Sequence, residues 1–180
     1  MKRLILIVAC VLCASFTYAQ DKKVLVAYFS CTGNTETVAE AIARATDAAL
    51  YRIRPQEAYS SADLDWRDAQ SRSSKEMDNP EARPALADKE ARAESYDVIF
   101  LGYPIWWDQC PRIINTFIES YNLEGKTVVP FATSGSSSIQ NSVRELKKQY
   151  GNIGWHAGKL LNDGGDDAVK WAEEIIEIQK

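Results

Sequence analysis

The 180-residue chain has a single histidine, His156, and four cysteines, two of which, Cys10 and Cys13, fall in an apolar leader. Beyond that leader only Cys31 and Cys110 remain, too few for a structural zinc site or a disulfide framework. Basic residues are also scarce. Lys and Arg number 21 against 25 Asp and Glu, a net charge of −4, and they are not gathered into runs. That balance argues against nucleic acid and anionic membrane surfaces as partners, since both need concentrated positive charge. No G-x-x-x-x-G-K-[ST] phosphate loop and no G-x-G-x-x-G dinucleotide fingerprint occurs. No apolar run reaches the ~18–20 residues of a membrane span.

The longest apolar run, "LILIVACVLCASF", follows Lys2 and Arg3 and ends near Thr17-Tyr18-Ala19, with small residues at the two positions a signal peptidase reads. Residues 1–19 are therefore expected to be a signal peptide, with export, most simply to the periplasm, and a mature domain of residues 20–180. A rival route uses Cys10 after "IVA" as a lipoprotein box and leaves a lipid anchor. Without Lys2 and Arg3 the charge becomes −6. One ordinary domain with room for a core remains.

Short apolar runs alternate with helical patterns along this domain. "KVLVAYFS", residues 23–30, and "YDVIFLGYPI", residues 96–105, are apolar on both faces, as in buried parallel strands, and "ALYRIRP" alternates like an edge strand. "KTVVPFATSG" reads as another strand despite Pro130, and "GWHAGKLLN" as a weak last one. Helical stripes follow: Thr35, Val38, Ala39, Ile42 and Thr46 behind an Asn34 N-cap; Ile113, Ile114, Phe117 and Ile118; Val143, Leu146 and Tyr150; Val169, Ala172, Ile175 and Ile176. Such alternation predicts βαβ units and an α/β sheet with helices on both faces. The polar stretch between Pro55 and Tyr96 is too long for a bare loop, and a helix is expected over 62–77.

In an open parallel sheet, ligands bind beyond the carboxyl ends of the strands, so the loops after the strands carry the information. After the first comes "SCTGNT", after the third "YPIWWDQCP", after the fourth "TSGSSS". The first holds hydroxyls and an amide at a helix start but no lysine or arginine, a set that can bind a phosphate through neutral donors and backbone N–H groups. The second offers flat aromatic surface, and the third small residues that permit close approach. A planar aromatic group bearing a phosphate monoester fits all three.

Ser30-Cys31-Thr32-Gly33-Asn34-Thr35 resembles the [ST]-x-T-G-N-T phosphate loop of flavodoxins, and Tyr103-Pro104-Ile105-Trp106-Trp107 with Thr133-Ser134-Gly135 resembles that family's flavin-flanking loops. The resemblance implies a three-layer fold with a five-stranded parallel sheet in the order 2-1-3-4-5, and FMN as cofactor. It assigns Ser30, Thr32, Gly33, Asn34 and Thr35 to the phosphate, Pro104, Ile105, Trp106 and Trp107 to the isoalloxazine, and Ser134, Gly135 and Ser136 to its other edge, with Cys31 and Thr133 of the same loops completing the cofactor-binding set. If the second loop is extended, Trp106 and Trp107 point oppositely, and Trp106 is the expected stacking residue. Cys31 and Cys110 read as small packing residues. No catalytic residue and no metal ligand is assigned.

One departure stands out. Carrier flavodoxins often have a glycine in the second loop that lets a peptide flip with redox state, and "PIWWDQCP" has none. The resemblance implies an electron-transfer protein acting with a redox partner protein or a small-molecule acceptor. The alternative is an FMN-dependent NAD(P)H:quinone-type oxidoreductase.

Overall fold

The computed structural model describes residues 22–179. The expected leader, residues 1–19, lies outside them. Five apolar segments build the sheet: β1 (Val24–Tyr28), β2 (Ala49–Arg52), β3 (Val98–Pro104), β4 (Thr127–Thr133), and a fifth position shared by β5 (Gly154–Trp155) and β6 (Lys159–Leu160). The order is β2-β1-β3-β4-β5, with β6 also on β4 and every pairing parallel.

The two-residue side-chain period divides each strand between two cores. Val26, Tyr28, Phe100, Val129 and Phe131 face α1 (Asn34–Thr46) and α5 (Asp166–Gln179), which present Val38, Ile42, Ala172 and Ile175. Leu25, Ala27, Phe29, Ile99, Leu101 and Tyr103 face α3 (Arg112–Glu119) and α4 (Gln140–Gln149), which present Ile113, Phe117, Val143 and Leu146. The result is the expected three-layer α/β fold. At Gly102 in β3 an added Cβ would lie 2.2 Å from Cζ of Phe131. The missing side chain is what lets that ring cross the sheet face.

Pro130 is accommodated by the split fifth strand. His156 N and Leu161 N donate to Val128 and Ala132 at 2.8 Å each, so alternation points the Pro130 nitrogen the same way, into the gap between β5 and β6. No ladder donor is lost there.

The segment between β2 and β3 differs from expectation. Instead of a helix over 62–77, it makes successive turns and a short α2 (Arg72–Asp78). Asp63 Oδ2 accepts from Ser60 N at 2.8 Å, Asp65 Oδ1 from Arg67 N at 3.0 Å, and Asp68 Oδ1 from Gln70 N at 2.8 Å. These short side chains bond to nearby backbone and outcompete helix until Ser71 caps α2. The segment is fastened from outside: Arg112 donates to the carbonyls of Glu76 and Met77, and Arg83 forks onto Glu119 at 2.8 and 2.9 Å. Among the described residues no helix is long and apolar enough to cross a membrane.

Candidate cofactor site

The loops after β1, β3 and β4 meet at the carboxyl edge of the sheet. Buried hydroxyls of Thr35 and Thr133 lie 2.8 Å apart and join the first loop to the third. Ile105 N donates to Thr133 O at 2.9 Å and joins the second to the third. Between them lies a cleft of about 620 Å³, continuous in its lining with a smaller one of about 370 Å³. Every expected site residue except Gly33 lines one or the other.

Gly33 acts through its backbone. It is the N-cap of α1 at φ 90°, a left-handed conformation that favours glycine, so Asn34 is the first helical residue and not the cap. With glycine as the cap, no side chain among the described residues caps this end. The first N–H groups of α1 therefore have no side-chain acceptor, the arrangement that receives an anion. Space above Gly33 and Gly135 is open, since an added Cβ at either would meet nothing within 4 Å.

The hydroxyls divide by role. Ser30 Oγ accepts from Gly33 N at 3.1 Å, which shapes the loop and leaves its O–H to donate. Thr35 is committed to Thr133, whereas Thr32 and Asn34 are exposed. The positive charge absent from the loop arrives from β2. Arg52 donates to the Ser30 carbonyl at 3.3 Å and to Glu36 at 3.2 Å, and Tyr28 donates to the same carboxylate at 2.8 Å. In the third loop, Ser134 N donates to Asn162 Oδ1 at 2.9 Å, while Ser134 Oγ accepts from Ser136 N and Ser137 N.

The second loop is not extended. Trp106 and Gln109 exchange two backbone hydrogen bonds of 2.9 Å around Trp107 (φ 44°) and Asp108 (φ 62°). Positive φ at both central residues defines a tight hairpin turn that usually takes Asn-Gly. Asn141 on α4 donates to Asp108 O at 2.9 Å and holds the turn in place. Trp106 packs edge-to-face on Phe29 and Tyr59, with centroids 5.7 and 5.5 Å away. Trp107, at the turn, is 46% exposed.

Cys31 and Cys110 are both free. Burial pushes the Cys31 thiol up to about 11, against the pull of Arg52 and Arg72, and the Cys110 thiol up to about 12. Neither is activated as a nucleophile at neutral pH. Beneath the cleft, Tyr59 donates to Glu76 at 2.5 Å, and the Arg72 guanidinium sits 4.0 Å over its ring. Burial first, and then the Glu76 contact, raise the Tyr59 phenol.

Leu64, Trp66, Ser73 and Ser137 also line the larger cleft, and Asn162 the smaller. Sequence reasoning missed all five. Trp66 had a signal, a bulky aromatic alone in "DLDWRDAQ", residues 63–70.

The donor set fits a phosphate monoester on a planar ring system: an uncapped helix start, free hydroxyls, an aromatic wall and a small-residue wall. The fold and cleft together define a flavodoxin-type flavoprotein. The flavodoxin family model matches residues 23–175, and the chain belongs to that family, whose cofactor is FMN. A candidate flavoprotein from Bacteroides eggerthii is 53% identical, with a TM-score of 0.82 over 87% of this chain and 98% of that one. Another, from Bacteroides uniformis, is 50% identical, with a TM-score of 0.81 over 89% and 100%. A Lactobacillus acidophilus flavoprotein solved in complex with FMN is 22% identical, with a TM-score of 0.59 over 83% and 99%, a likeness of fold.

Proposed function

We propose that the protein binds FMN in this cleft and transfers electrons between a redox partner protein, or a small-molecule acceptor, and the bound flavin. The observation that carries the reading is the pairing of the uncapped α1 start at Gly33 with the aromatic wall across the cleft. Ser30, Thr32, Asn34 and the α1 N–H groups hold the phosphate. Pro104 and Ile105 line the ring site, with Trp106 as its inner wall and Trp107 as its outer one. We assign the stacking face to Trp107, because Trp106 is engaged with Phe29 and Tyr59 while Trp107 stands exposed at the turn. Ser134, Gly135 and Ser136 flank the opposite edge. FMN, when bound, supplies the redox chemistry. The protein's residues orient it and exclude water from it.

The alternative, hydride transfer from NAD(P)H to a quinone-type acceptor, draws support from Trp66, an exposed indole that lines the cleft. Reconstitution with FMN and a reductive titration followed by absorption tests the flavoprotein reading. NADPH turnover with a quinone then separates the oxidoreductase from the carrier. A purified protein that takes up no flavin would overturn both.

We further propose export, with cleavage after Ala19 or lipidation at Cys10. Intact mass decides between a chain starting at Gln20, one starting at a lipidated Cys10, and one retaining its leader, which would overturn export.

A further inference from the structure

A second groove of about 540 Å³ lies against the cofactor cleft. The two cavities share Trp66 and Trp107, so these side chains form a common wall. Beyond the wall the groove is lined by Arg67 and Lys75, both exposed, with Asp78 as the acid among its lining residues. Among the described residues Arg67 and Lys75 make no side-chain ion pair, and the Arg67 guanidinium sits 5.4 Å over the Trp66 ring. Trp66 is 68% exposed although it belongs to an ordered run of turns.

FMN in the cleft would meet the shared indoles from one side, but it does not account for the two cations of the outer groove. The phosphate loop and Trp106 line the cleft and not the groove, whereas Arg67 and Lys75 line the groove and not the cleft. Exposed indoles bind planar aromatic molecules through their faces, and a cation held over or beside the ring adds attraction for an anionic substituent. Free cations with a single carboxylate among them give the groove a net positive lining.

We propose that the groove walled by Trp66 and Trp107 is a binding site for a planar aromatic anion, such as a carboxylated or sulfonated polycyclic quinone. Trp66 contacts the ring, and Arg67 and Lys75 receive the anionic group. The site's use in electron transfer rests on the FMN reading above. The binding does not.

The test is calorimetric titration of FMN-saturated protein with anthraquinone-2-sulfonate, a probe inert to thiol addition. Binding of one equivalent is expected, weakened at least tenfold by Trp66→Ala and at least tenfold by the double charge reversal Arg67→Glu/Lys75→Glu. The charge-reversed protein should keep its thermal midpoint and its FMN affinity. No binding by the unmodified protein, or unchanged affinity in either variant, overturns the proposal. So does displacement of FMN by the probe, which would put the probe in the cofactor cleft. Self-association lost on Trp66→Ala would assign the patch to a second copy instead and overturn it equally. If the protein fails to take FMN, the reading above falls, and the charge-reversal titration on flavin-free protein still decides the groove.

Discussion

Thr35 and Thr133 face each other across the interior with hydroxyl oxygens 2.8 Å apart, the first at the start of α1 and the second at the end of β4. Both residues are almost fully buried, at 1% and 6% exposure. The phosphate loop and the ring-flanking loop are thereby joined by a buried side-chain hydrogen bond, and each hydroxyl depends on the other. Thr35→Val alone strands the Thr133 hydroxyl and should cost roughly 1–3 kcal/mol of stability. Replacing both threonines by valine should cost clearly less than the sum of the two single changes. Urea denaturation of the four proteins in the cycle measures the coupling, and strict additivity would show that the pair is not a unit.

The choice of flavin should be set by the first loop. Thr32 is exposed and its hydroxyl has no partner among the described residues, so it is available to a phosphate and has nothing to do for riboflavin. Thr32→Val should weaken FMN binding by about 1.5–3 kcal/mol, the worth of a hydrogen bond to a charged group, and leave riboflavin affinity unchanged. Titration with both flavins, followed by quenching of flavin fluorescence, measures the difference. Equal affinity of the unmodified protein for the two would remove the phosphate from the cleft.

Much of this was legible in the residues, for physical reasons that differ by element. Buried parallel strands such as residues 98–104 have no wet face, so their apolar runs stand out, and the loops after them bear the site chemistry directly. The stretch from Pro55 to Tyr96 was not legible because its order comes from partners far along the chain, such as Arg83 with Glu119 and Arg112 with the Met77 carbonyl. Arg52 behind the phosphate loop was hidden for the same reason: β1–β2 pairing, and not proximity in sequence, brings it there. The tight turn at Trp107 and Asp108 was missed because such turns are usually marked by glycine.

Gly102 should be intolerant of any side chain. A methyl group there would overlap the Phe131 ring at 2.2 Å, and both residues sit in central strands with no room to separate. Gly102→Ala is expected to destabilise by roughly 1–3 kcal/mol through overpacking, and Phe131→Leu in the same chain should restore part of that loss. Thermal melts of the single and double variants provide the check. A neutral Gly102→Ala would mean that the ring has another place to go.

Cys31 should alkylate slowly at neutral pH. Burial lifts its thiol to about 11, so iodoacetamide reactivity should rise steeply only as pH approaches that value. The linkage has a definite sign. With the folded pKa above the unfolded one, ordinarily about 8.5, stability from this group is fully present below about pH 8.5 and is lost as pH rises toward 11. Cys31→Ser should flatten that part of the stability profile. A reactive thiolate at pH 7 would contradict the burial.

The turn after β3 yields opposed predictions for its residues. Trp107 at φ 44° and Asp108 at φ 62° occupy left-handed backbone, which costs non-glycine residues roughly 1–2 kcal/mol each. Asp108→Gly should therefore stabilise the protein by about 1 kcal/mol. Trp107→Gly should relieve the same strain while removing the indole, so stability should rise or hold as FMN affinity falls by roughly 1–3 kcal/mol, the range for aromatic stacking on a planar base. Trp106→Ala should do the reverse in stability, because its edge-to-face contacts with Phe29 and Tyr59 are worth about 0.5–1.5 kcal/mol each beyond their buried area. Denaturation curves and flavin fluorescence on the three variants separate the roles. Bound-flavin fluorescence should recover most in Trp107→Gly, where the exposed quencher is gone. If it recovers instead in Trp106→Ala with stability unchanged, the inner indole is the stacking partner and the assignment of the two walls is inverted.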